Sequence, residues 1–115
     1  MLSTIEKVGD QTLIVRLQGE LDHHTIKTLR KEISFCLVTQ PIKMLVWDLK
    51  HVSFMDSSGI GLILGRIREM EPFGGQTMIV HANTTIRKIF SYAGLTSLIV
   101  TEDREIQVVG KEVQG

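Results

Sequence analysis

Apolar positions along this chain alternate between two spacings, and the alternation predicts the elements. Thr12 to Gln18 is a mostly apolar run with the length of a strand. Before it, Val8-Gly9-Asp10-Gln11 has the composition of a tight hairpin turn, because Gly-Asp supplies the backbone freedom that such turns need. The turn joins a short first strand to the second. Ile26, Leu29, Ile33, Cys36 and Leu37 then recur at helical spacing, so residues 23 to 39 read as the first helix, with Asp22 at its N-cap and Pro41 beyond its end. Met44 to Leu49 is nearly all apolar, as in a central strand covered on both faces.

The second helix is expected from about Ser58 to Met70, with Ile60, Ile63, Leu64, Ile67 and Met70 on its apolar face. Gly61 and Gly65, four apart, would let it lie close to its neighbours. Gly74-Gly75 turns the chain into a strand from Gln76 to Val80. Asn83 or Thr84 caps a third helix that carries Ile86, Ile89, Phe90 and Ala93, and Gly94 suits the position just past its end. Leu98 to Val100 reads as a short strand, and Asp103 to about Val113 as a final helix with Ile106, Val109 and Val113 inward. An initial hairpin followed by alternating strands and helices gives an α/β sheet, mixed at its edge. We expect about five strands, about four helices and a single domain spanning 1–115.

Composition narrows the function classes. Hydrophobic residues at 43% and charged residues at 23% fit a soluble globular chain. Lys plus Arg and Asp plus Glu are 13 each, which argues against a nucleic-acid or anionic-membrane surface as the main business. No apolar run approaches the ~18 residues of a membrane span, and the N-terminal MLSTIEKVGD is not a secretory signal. The one cysteine, Cys36, has no internal disulfide partner and falls on the inward stripe of the first helix. These features suit a reducing cytoplasm.

The segment LKHVSFMDSSGIGLILGR, Leu49 to Arg66, carries the chemistry. It places Asp56, then the hydroxyls of Ser57 and Ser58, at the mouth of a helix. Serine oxygens there can accept free backbone N–H groups. The same place suits a covalent phosphate, since helix N-termini stabilise anions. The block resembles the signature of the anti-sigma factor antagonists built on the STAS domain. A second stretch, GELDHHT from Gly19 to Thr25, is similar to the sporulation, sigma-F pathway branch of that family. The resemblance runs through Gly74-Gly75 and FSYAGL, Phe90 to Leu95.

The resemblance implies a STAS-like fold and a binding module rather than an enzyme. Ser57 matches the family's phosphorylated hydroxyl. The partner would be an anti-sigma factor that is also a serine kinase, with a serine phosphatase resetting the modified form. Mg-ATP would belong to the kinase, and this chain would need no cofactor or metal of its own and be a monomer when free. Asp22, His23, His24, Asp56, Ser58, Gly59, Ile60, Gly61 and Leu62 form the expected partner surface around Ser57.

Plainer readings stand beside each of these. Asp22 and Ser58 serve equally as helix caps, and Asp56 is divided between loop geometry and recognition. His23 and His24 point about 100° apart on a helix and make poor joint ligands for one ion. His51 is placed in the loop before the signature. Leu62 lies off the main apolar face, so it packs on a loop or is exposed beside Ser57. A serine hydrolase is opposed by Met55, which stands where the G-x-S-x-G elbow needs its first glycine. Gly59-x-Gly61 and Gly74-Gly75 are too sparse for a phosphate-cradling loop. The rival functions are a stress-response sigma pathway antagonist and a STAS module that senses a small ligand or nucleotide.

Overall fold

The computed structural model describes residues 2–21 and 23–100. β1 (Leu2–Val8) and β2 (Thr12–Leu21) form the hairpin. Val8 pairs with Thr12, and Gly9 takes a left-handed φ of 65° in the three-residue turn between them. α1 (His23–Thr39), β3 (Met44–Met55), α2 (Ser57–Met70), β4 (Gln76–Val80), α3 (Thr84–Tyr92) and β5 (Ile99–Val100) follow. Single 3-10 turns at Glu71–Phe73 and Thr96–Leu98 link α2 to β4 and α3 to β5.

The five strands lie in sequence order. β1 is antiparallel to β2, and every later pair is parallel. The sheet is therefore mixed at one edge, as the sequence pattern implies. Three α-helices lie among the described residues. The expected helix from Asp103 to Val113 falls outside them.

One face of the sheet carries the main core. Leu13, Val15 and Leu17 of β2 and Leu45, Trp47 and Leu49 of β3 pack with Ile26, Leu29 and Ile33 of α1, Ile63 of α2, and Ile86 and Phe90 of α3. The alternate residues Ile14, Val46 and Val80 form a second, smaller cluster, because successive side chains of a strand point to opposite faces.

Two strands run further than the sequence pattern suggests. β2 continues to Leu21 rather than ending at Gln18, and β3 continues to Met55 rather than Leu49. His51 consequently sits in β3, opposite Gln18, and not in a loop. The hydrophobic pattern hides this because the register shifts twice, between Arg16 and Gln18 and between Gly19 and Glu20. Bulges break the two-residue alternation that marks a strand in sequence, and Gly19 accommodates the irregularity with a φ of 96°. β4 pairs with β3 only as far as Asp48. Beyond that point β2 is the one partner strand of β3, and past the Gln18–His51 pair, where β1 also ends, the two continue as a two-stranded ribbon.

Candidate functional site

The ribbon ends where Leu21 pairs with Met55. α1 starts at His23 and α2 at Ser57, so the first turns of both helices stand at one edge, about one strand spacing of 4.8 Å apart at their roots. This is the carboxyl edge of the parallel strands, where α/β folds usually place their sites. Asp22, between Leu21 and His23, lies outside the described residues.

Asp56, and neither serine, is the N-cap of α2. Its backbone is extended (φ −98°, ψ −169°), and its carboxylate accepts from Ser58 N at 2.8 Å and Gly59 N at 3.4 Å. The expectation that Ser58 caps the helix is thereby corrected: α2 begins one residue earlier, and Ser58 lies in its first turn. Asp outranks Ser in reach here because its side chain points back over the N–H groups from the extended position. The same observation refines the electrostatics. The carboxylate already occupies the anion-favouring N–H groups, so an added phosphate on Ser57 would stand beside Asp56 rather than in its place.

Ser57 is exposed, and among the described residues its hydroxyl has no hydrogen-bond partner. It borders an open groove of about 560 Å³ between α2 and α3, lined by Phe54, Ile60, Gly61, Leu64, Ile89 and Tyr92. The lining is almost entirely apolar. Phe54 is 49% exposed and Tyr92 89% exposed, so two large rings face solvent beside Ser57. Asn83 fixes the far wall. Its Oδ1 accepts from Ile86 N at 2.8 Å and caps α3, while its Nδ2 donates to the Val52 and Ser53 carbonyls of β3 at 3.1 and 3.3 Å. At the other end of α3, Gly94 (φ 75°) closes the helix with Leu95 N donating to Phe90 O and Gly94 N to Ser91 O.

The expected partner surface divides accordingly. His23, His24, Asp56, Ser57 and Gly61 are exposed, and Ser58 is half-buried. Gly59, Ile60 and Leu62 are buried. Leu62, at 2% exposure, packs into the main core and is withdrawn from the surface. It turns inward because α1 packs along the flank of α2, so the buried arc is wider than the single stripe read from spacing. The same arc takes in Arg66, whose Nε and Nη2 fork onto the Glu69 carboxylate at 2.9 and 3.1 Å. Gly59 has a packing role: a Cβ there would fall 2.2 Å from Cγ of Met55.

Sequence reasoning missed Phe54, Leu64, Ile89 and Tyr92 as site residues. Tyr92 had a signal, since it lies off the apolar stripe of α3. The others needed the ribbon's length and the α2–α3 spacing. His23 and His24 are both exposed, and no group of three metal-binding side chains occurs among the described residues. No described helix is long and apolar enough to cross a membrane.

The comparisons with known proteins agree with this geometry. The family profile of the STAS domain matches residues 4–107. An anti-sigma F factor antagonist of Lysinibacillus sphaericus is 40% identical over 113 residues, covering 96% of this chain and 97% of its own. The unphosphorylated form of the anti-sigma factor antagonist SpoIIAA superposes with a TM-score of 0.86 at 38% identity, over 94% of this chain and 96% of that one. The phosphorylated form of SpoIIAA from Bacillus superposes with a TM-score of 0.79 at 38% identity, over 94% and 99%.

Proposed function

The chain belongs to the STAS-domain family, and on that premise we propose that it is an anti-sigma factor antagonist whose binding is switched off by phosphorylation of Ser57. Unphosphorylated, it binds an anti-sigma factor in the cytoplasm and so releases a sigma factor of the sporulation type. The partner, acting as a serine kinase with Mg-ATP, then modifies Ser57, and a phosphatase restores the hydroxyl. This chain holds the acceptor and the docking surface, as a single domain and a monomer when free; the catalytic groups belong to its partners.

One observation carries the reading: an exposed hydroxyl at a helix mouth, without a hydrogen-bond partner among the described residues, bordered by an apolar groove with two exposed rings. A docked partner covers Phe54 and Tyr92 and meets a small neutral group at Ser57. Phosphorylation adds about −1.5 to −2 charges there. Asp56 stands alongside, and its carboxylate holds the nearest N–H groups. The added charge is thus left to solvent, and a partner that excludes solvent rejects it. Discrimination comes from repulsion and desolvation more than from a change of fold.

The test is to mix the protein with the anti-sigma factor and Mg-ATP and to map phosphate by mass spectrometry. Ser57 should be labelled, Ser57→Ala should block labelling, and Ser58→Ala should leave it intact. Phosphate on Ser58 in the unmutated protein would overturn the assignment. Ser57→Asp should weaken anti-sigma binding with an unchanged circular dichroism spectrum. Unfolding in that variant would instead mark a structural serine.

A further inference from the structure

Ser57 has two flanks of different chemistry. The α3 side is the apolar groove. The other side is a flank of α1, and the exposed side chains of its first half, His23, His24, Lys27, Thr28, Arg30 and Lys31, include no acid. Stepping about 100° per residue, His23, Lys27, Arg30 and Lys31 fall within one arc of the helix. All four are exposed, and His23, Lys27 and Arg30 line a shallow cleft over Ile26. The helix has one carboxylate, Glu32, which lies about 140° around from Lys27. No carboxylate among the described residues pairs with any of the four; the ion pairs present are Arg16 with Glu6 and Asp48, and Arg66 with Glu69. In a chain whose charges cancel overall, this is a local asymmetry, and no ion pair among the described residues neutralises it.

The stripe is continuous with the Ser57 edge. His23 follows the Leu21–Met55 pair as closely as Ser57 does, and Lys27 and Arg30 lie about 6 and 10 Å further along the axis of α1. A protein broad enough to cover both Ser57 and the groove reaches the stripe without leaving its footprint, since a standard interface buries about 800 Å² per partner. From this continuity and the uncompensated charge, we propose that the stripe docks an acidic surface of the same anti-sigma factor. The proposal rests on the function given above and adds the chemistry of the partner: apolar opposite Phe54 and Tyr92, carboxylate-rich opposite Lys27 and Arg30. Exposed charge pairs of this kind steer encounter and fix orientation more than they add affinity, so the stripe would set which way round the partner meets Ser57.

The experiment is titration of the anti-sigma factor with wild type, Lys27→Glu/Arg30→Glu, and Thr28→Glu as a control that adds negative charge on an exposed position beside the stripe. Runs at about 50 mM and 500 mM salt separate screened from unscreened contacts. The double variant should bind at least about tenfold more weakly at low salt, mostly through a slower association rate, with the gap closing at high salt. Thr28→Glu should change little. Because all three positions are exposed, circular dichroism should be unchanged throughout. If wild type fails to bind, the proposed function itself falls. If wild type binds and the double variant matches it, or Thr28→Glu is equally impaired, the stripe is not a docking surface for this partner. Unchanged anti-sigma binding with slower removal of phosphate from Ser57 would give the stripe to the phosphatase and overturn the proposal.

Discussion

Replacing Asp56 tests the site at its root, because one carboxylate starts the helix on which Ser57 stands. An N-cap replaced by alanine costs about 0.5–2 kcal/mol. Here the Ser58 contact is short at 2.8 Å and the Gly59 contact long at 3.4 Å, which amounts to one good bond and one weak one. That places Asp56→Ala near the middle of the range, at about 1.2 kcal/mol. Unfolding entropy of about 2.1 cal/mol/K per residue gives about 0.24 kcal/mol/K for this chain, so Tm should fall by about 5 °C. Asp56→Asn keeps the acceptor oxygen and loses the charge. It forfeits only the interaction with the helix dipole, about 0.3–1 kcal/mol, and that loss shrinks in salt. Thermal melts of Asp56→Ala, Asp56→Asn and Ser58→Ala at low and high salt give the ranking directly. If Ser58→Ala is the most damaging of the three, a serine is the cap and the geometry at α2 is wrong.

Further outcomes can be checked on the same preparations. Asn83→Ala should cost about 1.5–3 kcal/mol in urea unfolding, since it removes a cap and two bonds to β3; Asn83→Asp, which keeps the cap and loses both donors, should fall between. Tyr92→Ser should leave stability within about 0.5 kcal/mol, being almost fully exposed, yet weaken anti-sigma binding about five- to thirtyfold if the ring anchors the partner, as calorimetry would show. Asp22→Asn, a position outside the described residues and argued from GELDHHT, should leave Tm nearly unchanged and reduce anti-sigma binding or the rate of Ser57 phosphorylation; equality with wild type in both assays would make Asp22 only a cap.

Local signals in the sequence were read where they act locally. The bounds of α1 and β4, the Asn83 cap and Gly94 past the end of α3 each depend on a few adjacent residues, and each appears where the pattern puts it. The exposed ring at Tyr92 and the burial of Leu62 depend on how α1 and α3 lie against α2, which no single helix records. The ends of β2 and β3 were obscured for another reason: two register shifts scramble the alternation between residues 16 and 21. The placement of Ser57 at a helix mouth was legible because hydroxyls beside an acid at a strand-to-helix turn form a compact motif. Which side chain caps the turn was not, because Asp56, Ser57 and Ser58 are all competent caps and the choice is made by the direction in which β3 leaves the sheet.

The ribbon formed by β2 and β3 beyond the Gln18–His51 pair also has a consequence for time. It carries the Ser57 edge past the five-stranded sheet, with β4 no longer beside it, so the amides of β3 there are guarded by one partner strand, Asn83 reaching only the Val52 and Ser53 carbonyls. Openings confined to such a segment need less free energy than global unfolding. Hydrogen exchange should therefore report two populations in β3: slow amides at Leu45 to Leu49, released only when the domain unfolds, and faster ones at Val52 to Met55. Partner binding that covers this end should slow the second set and leave the first untouched, so a deuterium-uptake trace can register docking without any label on the partner.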